Sequence, residues 1–252
     1  MGFALGWIGR WLARFLAKPV HVHQVAPSVG PAQLLACLRP GDVLLVEGNS
    51  RVSAAIKYLT QSTWSHAALF VGDHLARVGG NPNHLFVEAD TVDGVRSVGI
   101  DEFNGLHVRI CRPFGLSETD CTHVTQYAIE RIGMQYDLRN VIDLARYLFP
   151  TPPVPQRIRR RMLRLGSGDP TRAICSTLIA QAFQSIRYPI LPDVSRRSAE
   201  SPMCPGCIEE ILQVRHHSLF VPRDFDVSPY FEVIKPSTAR DFDYRTLNWQ
   251  DD

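Results

Sequence analysis

Thr63-Trp64-Ser65-His66-Ala67-Ala68-Leu69-Phe70-Val71-Gly72 is the stretch on which the reading of this chain turns. Ala67 to Val71 is apolar at every position, and Gly72 ends the run. A strand with one wet face alternates polar and apolar residues. A run that is apolar on both alternating faces therefore predicts a central strand, covered on both sides. His66 stands at its mouth, an ionisable ring placed against apolar surroundings.

Working outward, Leu38-Arg39-Pro40-Gly41-Asp42 reads as a turn into a strand over Val43–Val46, and Ser53 to Leu59 as a short helix. On the other side, a polar turn around Gly79 to Asn83 leads into Leu85-Phe86-Val87-Glu88-Ala89, a second buried strand. Val95 to Ile100 and His107 to Arg112 continue the sheet. The period then changes. Val124, Ala128, Ile129 and Ile132 fit one helix, and Leu138, Val141, Ile142, Ala145 and Leu148 fit another. Pro150 to Pro155 breaks the pattern, and Arg157 to Arg164 contributes five arginines. Gly166-Ser167-Gly168-Asp169-Pro170 leads to Ile174-Cys175-Ser176, from which a helix runs with Leu178, Ile179, Ala182, Phe183 and Ile186 on its buried face. The region from 188 to 230 reads as Pro-rich and irregular, with Phe231–Ile234 as a late strand.

The bulk numbers set the frame. With 252 residues, 45% of them hydrophobic, the chain can bury a large core. A net charge of +2 lacks the basic excess of a nucleic-acid binder, so no nucleic-acid partner is expected. Six cysteines are too sparse for a disulfide scaffold at this length and fit a reducing, cytoplasmic compartment. No apolar run reaches the roughly 20 residues that a spanning helix needs.

Residues 1–20 carry Phe3, Trp7, Ile8, Trp11, Leu12, Phe15 and Leu16 at helical spacing, with Arg10, Arg14 and Lys18 on a different stripe. This predicts an amphipathic helix that lies on an anionic membrane surface, on the inner face of the membrane, or else docks on the protein itself. The domain organisation that follows is a helix at 1–20, a linker at 21–36 with a short helix from Pro31, a catalytic-type domain at 37–235, and a polar tail at 236–252.

Three residues are chemically wrong for their neighbourhoods: His66 at the strand mouth, Glu88 inside an apolar strand, and Cys175 at a helix start. A buried carboxylate is costly without a partner. A cysteine at a helix amino terminus is biased toward thiolate by the free N–H groups and the helix dipole. Together they supply a nucleophile, a base, and a group that orients the base. Each also has a packing explanation: a small buried thiol, a satisfied core histidine, a strand-end carboxylate facing water. Composition and spacing leave both readings open.

The local sequences resemble a family. Gly41-Asp42-Val43-Leu44-Leu45, Trp64-Ser65-His66, Val87-Glu88-Ala89, Gly133-Met134-Gln135-Tyr136-Asp137, Ile174-Cys175-Ser176 and Tyr188-Pro189 are similar, in this order, to the permuted NlpC-type papain-like proteins of the YiiX/YaeF-like branch. The resemblance implies an α+β fold of circularly permuted papain-like type, an antiparallel sheet packed with helices, in which the histidine strand precedes the cysteine helix. It implies a cysteine hydrolase of amidase, peptidase or thioesterase type, with Cys175 as nucleophile, His66 as base and Glu88 as third residue. No cofactor is required by that chemistry. The expected substrates are peptides, lipids or acylated small molecules. A lipid acyltransferase or phospholipase on the same dyad, and a non-catalytic membrane-surface binder of the same fold, are the alternatives.

Two further signals are weaker. Cys204-Pro-Gly-Cys207 with His216 and His217 nearby invites a zinc or a redox reading, but it lacks the second ligand pair at zinc spacing and the βαβ context of a redox motif, so the cysteines read as turn residues and no metal is expected there. The arginine run reads either as a solvated helix face or as a contact for an anionic surface beside the Cys175 helix.

Overall fold

The central strand expected over Ala67–Val71 is indeed interior, and the reason its residues are apolar on both sides is that both faces of the sheet are covered. The computed structural model describes residues 30–90, 93–135, 174–198 and 208–236. The amino-terminal stripe, the helix expected over Leu138–Leu148, the arginine run, the glycine-rich lead-in at 166–170, Cys204 with Cys207, and residues 237–252 of the tail lie outside them.

In chain order the elements are α1 (Pro31–Cys37), β1 (Val43–Glu47), α2 (Arg51–Thr60), β2 (His66–Phe70), α3 (His74–Arg77), β3 (Phe86–Asp90), β4 (Gly94–Val98), β5 (His107–Pro113), α4 (Glu118–Ile129), α5 (Ile174–Ser185), β6 (Asp193–Ser198), β7 (Ile208–Gln213), α6 (Pro222–Val227) and β8 (Phe231–Ile234). Six of the strands form one antiparallel sheet in the order β4-β3-β2-β1-β5-β8. The fold is α+β, with helices on an antiparallel sheet, as the resemblance implied.

Strand periodicity sorts the side chains into two layers. Val43, Leu45, Ala67, Leu69, Val87, Ala89 and Val95 face one way, into a core shared with Val124 and Ala128 of α4 and Leu178, Ile179, Ala182 and Phe183 of α5. Leu44, Val46, Ala68, Phe70, Phe86, Val98, Val108 and Ile110 face the other way, against Leu34 and Leu38 at α1 and Phe103. α1 thus packs on the sheet, within the stretch expected to be a linker. The first layer holds α5 across β2 and β3, which is what carries the start of that helix to the mouth of β2.

Two stretches differ from the sequence reading. The strand expected over Val95–Ile100 stops at Val98, and Ile100–Phe103 forms a 3₁₀ turn that seats Phe103 edge-on against Phe86, ring centroids 4.9 Å apart. The region 188–230 is more regular than its prolines suggested. β6 and β7 pair as a separate two-stranded ribbon. Asp193-Val194-Ser195-Arg196-Arg197-Ser198 offers little apolar alternation, so backbone pairing rather than pattern makes it a strand. α6 uses its proline at the first helical turn, where a missing N–H costs nothing, and the Asp224 carboxylate accepts from the Val221 N–H at 3.0 Å.

Candidate active site

Trp64-Ser65-His66 works as two anchors followed by a reactive ring. Trp64 is 3% exposed, and its Nε1–H donates to Asp226 Oδ2 at 3.0 Å, tying the approach to β2 onto α6. The Asp226 Oδ1 atom accepts from Arg109 at 2.7 Å, and the Arg109 guanidinium lies 4.9 Å from the Trp64 ring centroid. Ser65 then locks the mouth of β2 to the end of β1. Its N–H donates to the Val46 carbonyl at 3.1 Å, and its Oγ accepts from the Gly48 N–H at 2.9 Å. Position 48 has no room for a side chain, because a Cβ there would collide with Ser53 Oγ in the first turn of α2. His66 is left with little positional freedom.

The register supplies its partner. Ala68 pairs with Glu88 across β2 and β3, so Glu88 is the diagonal neighbour of His66 on the same face. His66 Nε2 and Glu88 Oε2 are 2.7 Å apart. The Glu88 carboxylate is only 3% exposed while the His66 ring is 26% exposed, so the pair is closed on the carboxylate side and open on the imidazole side. The second Glu88 oxygen is taken as well. Arg96, directly opposite on β4, donates to Oε1 from Nε at 2.9 Å, with a second guanidinium nitrogen at 2.8 Å.

Cys175 is the second residue of α5 and is 4% exposed. The His66 ring and the Ala67 backbone N–H are the neighbours of its sulfur that favour the thiolate. Glu88 engages Nε2, which leaves Nδ1 as the other nitrogen of the ring. Ala67 lies one residue before the β2–β3 register pairs, which begin at Ala68. Ser176 Oγ is 3.9 Å from the sulfur.

Burial opposes every charge in this chain of groups, and the neighbours overturn it at each one. Burial pushes the Cys175 thiol up, but the His66 imidazole and the bonds from His66 and Ala67 bring it below its ordinary value. Burial pushes His66 down, but Glu88 and Cys175 hold its pKa well above the ordinary imidazole value. Burial pushes Glu88 up, but His66 and Arg96 hold it below the ordinary carboxylate range. Each shift runs toward the charged form, so thiolate, imidazolium and carboxylate stabilise one another here. By contrast, burial pushes Cys111 up to about 12. Cys121 is raised too, again mainly by burial. Neither is poised as a nucleophile.

All three residues singled out in the sequence therefore meet, and Glu88 does not face water. What sequence reasoning missed is Arg96, the Ala67 amide and the Asp226 anchor. A second polar group sits at the same end of the sheet, where Glu47 is paired with His107 across β1 and β5: Glu47 contacts Lys57 at 3.0 Å and His107 at 3.1 Å. Among the described residues, no group of three or more His, Cys, Asp or Glu is placed to hold a metal ion, and no helix is long and apolar enough to cross a membrane.

Comparison with known proteins gives one family. Residues 37–148 match the family described as permuted papain-like amidase enzymes, YaeF/YiiX, C92 family. The matched stretch contains His66, Glu88 and Arg96 and ends before Cys175. Among solved structures, the crystal structure of metalloprotein YiiX from Escherichia coli O157:H7 is similar at 16% identity, over 78% of this chain and 96% of that chain, with a TM-score of 0.45. No curated protein matches.

Proposed function

We propose that this chain, whose residues 37–148 match the permuted papain-like amidases of the YaeF/YiiX type, hydrolyses an amide, ester or thioester bond through an acyl-Cys175 intermediate. The observation that carries this reading is the His66 ring held at 2.7 Å by the buried Glu88 carboxylate, with Cys175 at the start of α5 close enough for the two charges to shift each other.

The Cys175 thiolate attacks the substrate carbonyl carbon and forms a carbon–sulfur bond. The carbonyl π pair moves to oxygen, where a backbone N–H at the start of α5 would help bind the charge. The His66 imidazolium gives its Nδ1 proton to the leaving nitrogen, oxygen or sulfur as that bond breaks. Water then enters the open side of the ring and gives a proton to His66 as it attacks the acyl carbon. Collapse expels the thiolate and restores the ion pair. Glu88 stays ionised throughout, holding the ring's orientation and stabilising its charge.

The test is a panel of peptide, lipid and thioester substrates with the intact protein and with Cys175→Ala. Turnover of at least one class, abolished in Cys175→Ala, supports the reading and names the bond. An intact protein with an unreactive Cys175 and no turnover points instead to a binding protein that keeps the fold.

A further inference from the structure

Arg96 is the residue at this site that neither the motifs nor the proposed mechanism uses. It holds one oxygen of Glu88 from two guanidinium nitrogens, at 2.9 and 2.8 Å, on the side away from His66. The same guanidinium also reaches Glu102 at 2.7 Å and Asp93 at 3.5 Å, with Asp90 of β3 adding a further negative charge nearby. Its β4 position lies directly opposite Glu88 in the register, so the contact is built into the sheet rather than into a mobile side chain. The turn that sets this register is also closely packed: Gly94 has φ +76°, and a Cβ there would collide with the Met134 carbonyl, to which the Val95 N–H donates at 2.9 Å. An arginine placed only to cover the surface would not need a carboxylate that is 3% exposed as its partner.

We infer that Arg96 is a positioning residue that acts through Glu88: it keeps that carboxylate ionised and aimed, so that the His66–Cys175 ion pair persists to lower pH. This rests on the acyl-cysteine reading of the site. The sign follows from charge. Without Arg96, Glu88 loses its second counter-charge, takes up a proton at higher pH, and then no longer supports the imidazolium that faces the thiolate. The acid limb of thiolate formation therefore rises. An opposite charge at this distance is worth on the order of one pH unit or more.

The experiment is the pH dependence of Cys175 alkylation by iodoacetamide in the full chain, mapped by mass spectrometry, for the parent, Arg96→Met and Arg96→Lys. Arg96→Met should move the acid limb up by about one pH unit, so that alkylation below the limb is roughly tenfold slower, and Arg96→Lys should restore most of the loss. A purely structural role would lower the folding midpoint while leaving the limb in place. If Arg96→Met does not fold, Arg96→Gln, which keeps a donor toward Glu88 but no charge, reads the same shift. A limb in the uncharged variant that superimposes on the parent's overturns the inference while Cys175 remains the nucleophile. A parent whose Cys175 does not alkylate near neutral pH removes the acyl-cysteine reading, and this inference with it.

Discussion

Replacing Glu88 by glutamine removes one negative charge from a site 3% exposed to solvent and leaves two cations facing it. The parent carboxylate accepts from His66 at 2.7 Å and from Arg96 at 2.9 Å, with a further guanidinium contact at 2.8 Å. Hydrogen bonds to charged groups contribute roughly 1.5–3 kcal/mol each, and glutamine keeps an acceptor for only one of the two partners. Breaking a buried pair costs roughly 3–5 kcal/mol, but His66 and Arg96 are 26% and 32% exposed and recover part of their solvation. The expected loss near neutral pH is therefore about 2–3 kcal/mol. Its pH dependence is the stricter test. Glu88 is held below its ordinary value, so its contribution is present above the unfolded pKa and lost as pH falls through the folded one. His66 is raised, so its contribution is complete below the unfolded value and lost as pH rises through the folded one. The difference between parent and Glu88→Gln should be largest between the ordinary values of 4.5 and 6.5 and should shrink toward strong acid. Urea unfolding of both proteins across that range measures it. A penalty that does not change with pH would mean that shape rather than charge holds the site, and would refute the reasoning.

Brief alkylation near neutral pH should label Cys175 ahead of Cys111 and Cys121, whose thiols burial raises; peptide mapping that finds Cys111 labelled first would contradict the assignment. Trp64→Phe removes the Nε1 donor to Asp226 and should cost about 1–2 kcal/mol. It should also lower kcat more than it raises KM, because the loss acts on the placement of His66; an unchanged kcat would show that the anchor is structural alone. Deleting residues 1–20 should weaken binding to anionic liposomes, and added salt should weaken it further by screening Arg10, Arg14 and Lys18. Cosedimentation that is the same with and without the segment would withdraw the membrane reading.

The parts legible in the sequence are those in which a residue conflicts with its own neighbours. Ala67–Val71 could only be a strand covered on both sides. His66 and Glu88 each interrupt an apolar strand, and Cys175 stands at a helix start, so each is visible in the sequence as a residue at odds with its surroundings. Arg96 broke nothing. In Val95-Arg96-Ser97-Val98 it looks like the solvent-facing half of an alternating strand, and only its register opposite Glu88 gives it a role. Asp226 lies 162 residues beyond Trp64, and no local pattern joins an aspartate in a six-residue helix to a tryptophan just before β2. The ribbon of β6 and β7 was hidden because its stability is in backbone pairing, while the prolines around it argued for loops.

The central claim is that Cys175 carries the acyl group. Intact-mass spectrometry of the full chain, quenched during turnover of an activated ester or thioester, tests it most directly. The account predicts one acyl unit per chain, mapped to Cys175, that decays as product forms and is absent in Cys175→Ala. An acyl group on any other residue, or turnover with Cys175 unmodified and dispensable, would contradict it.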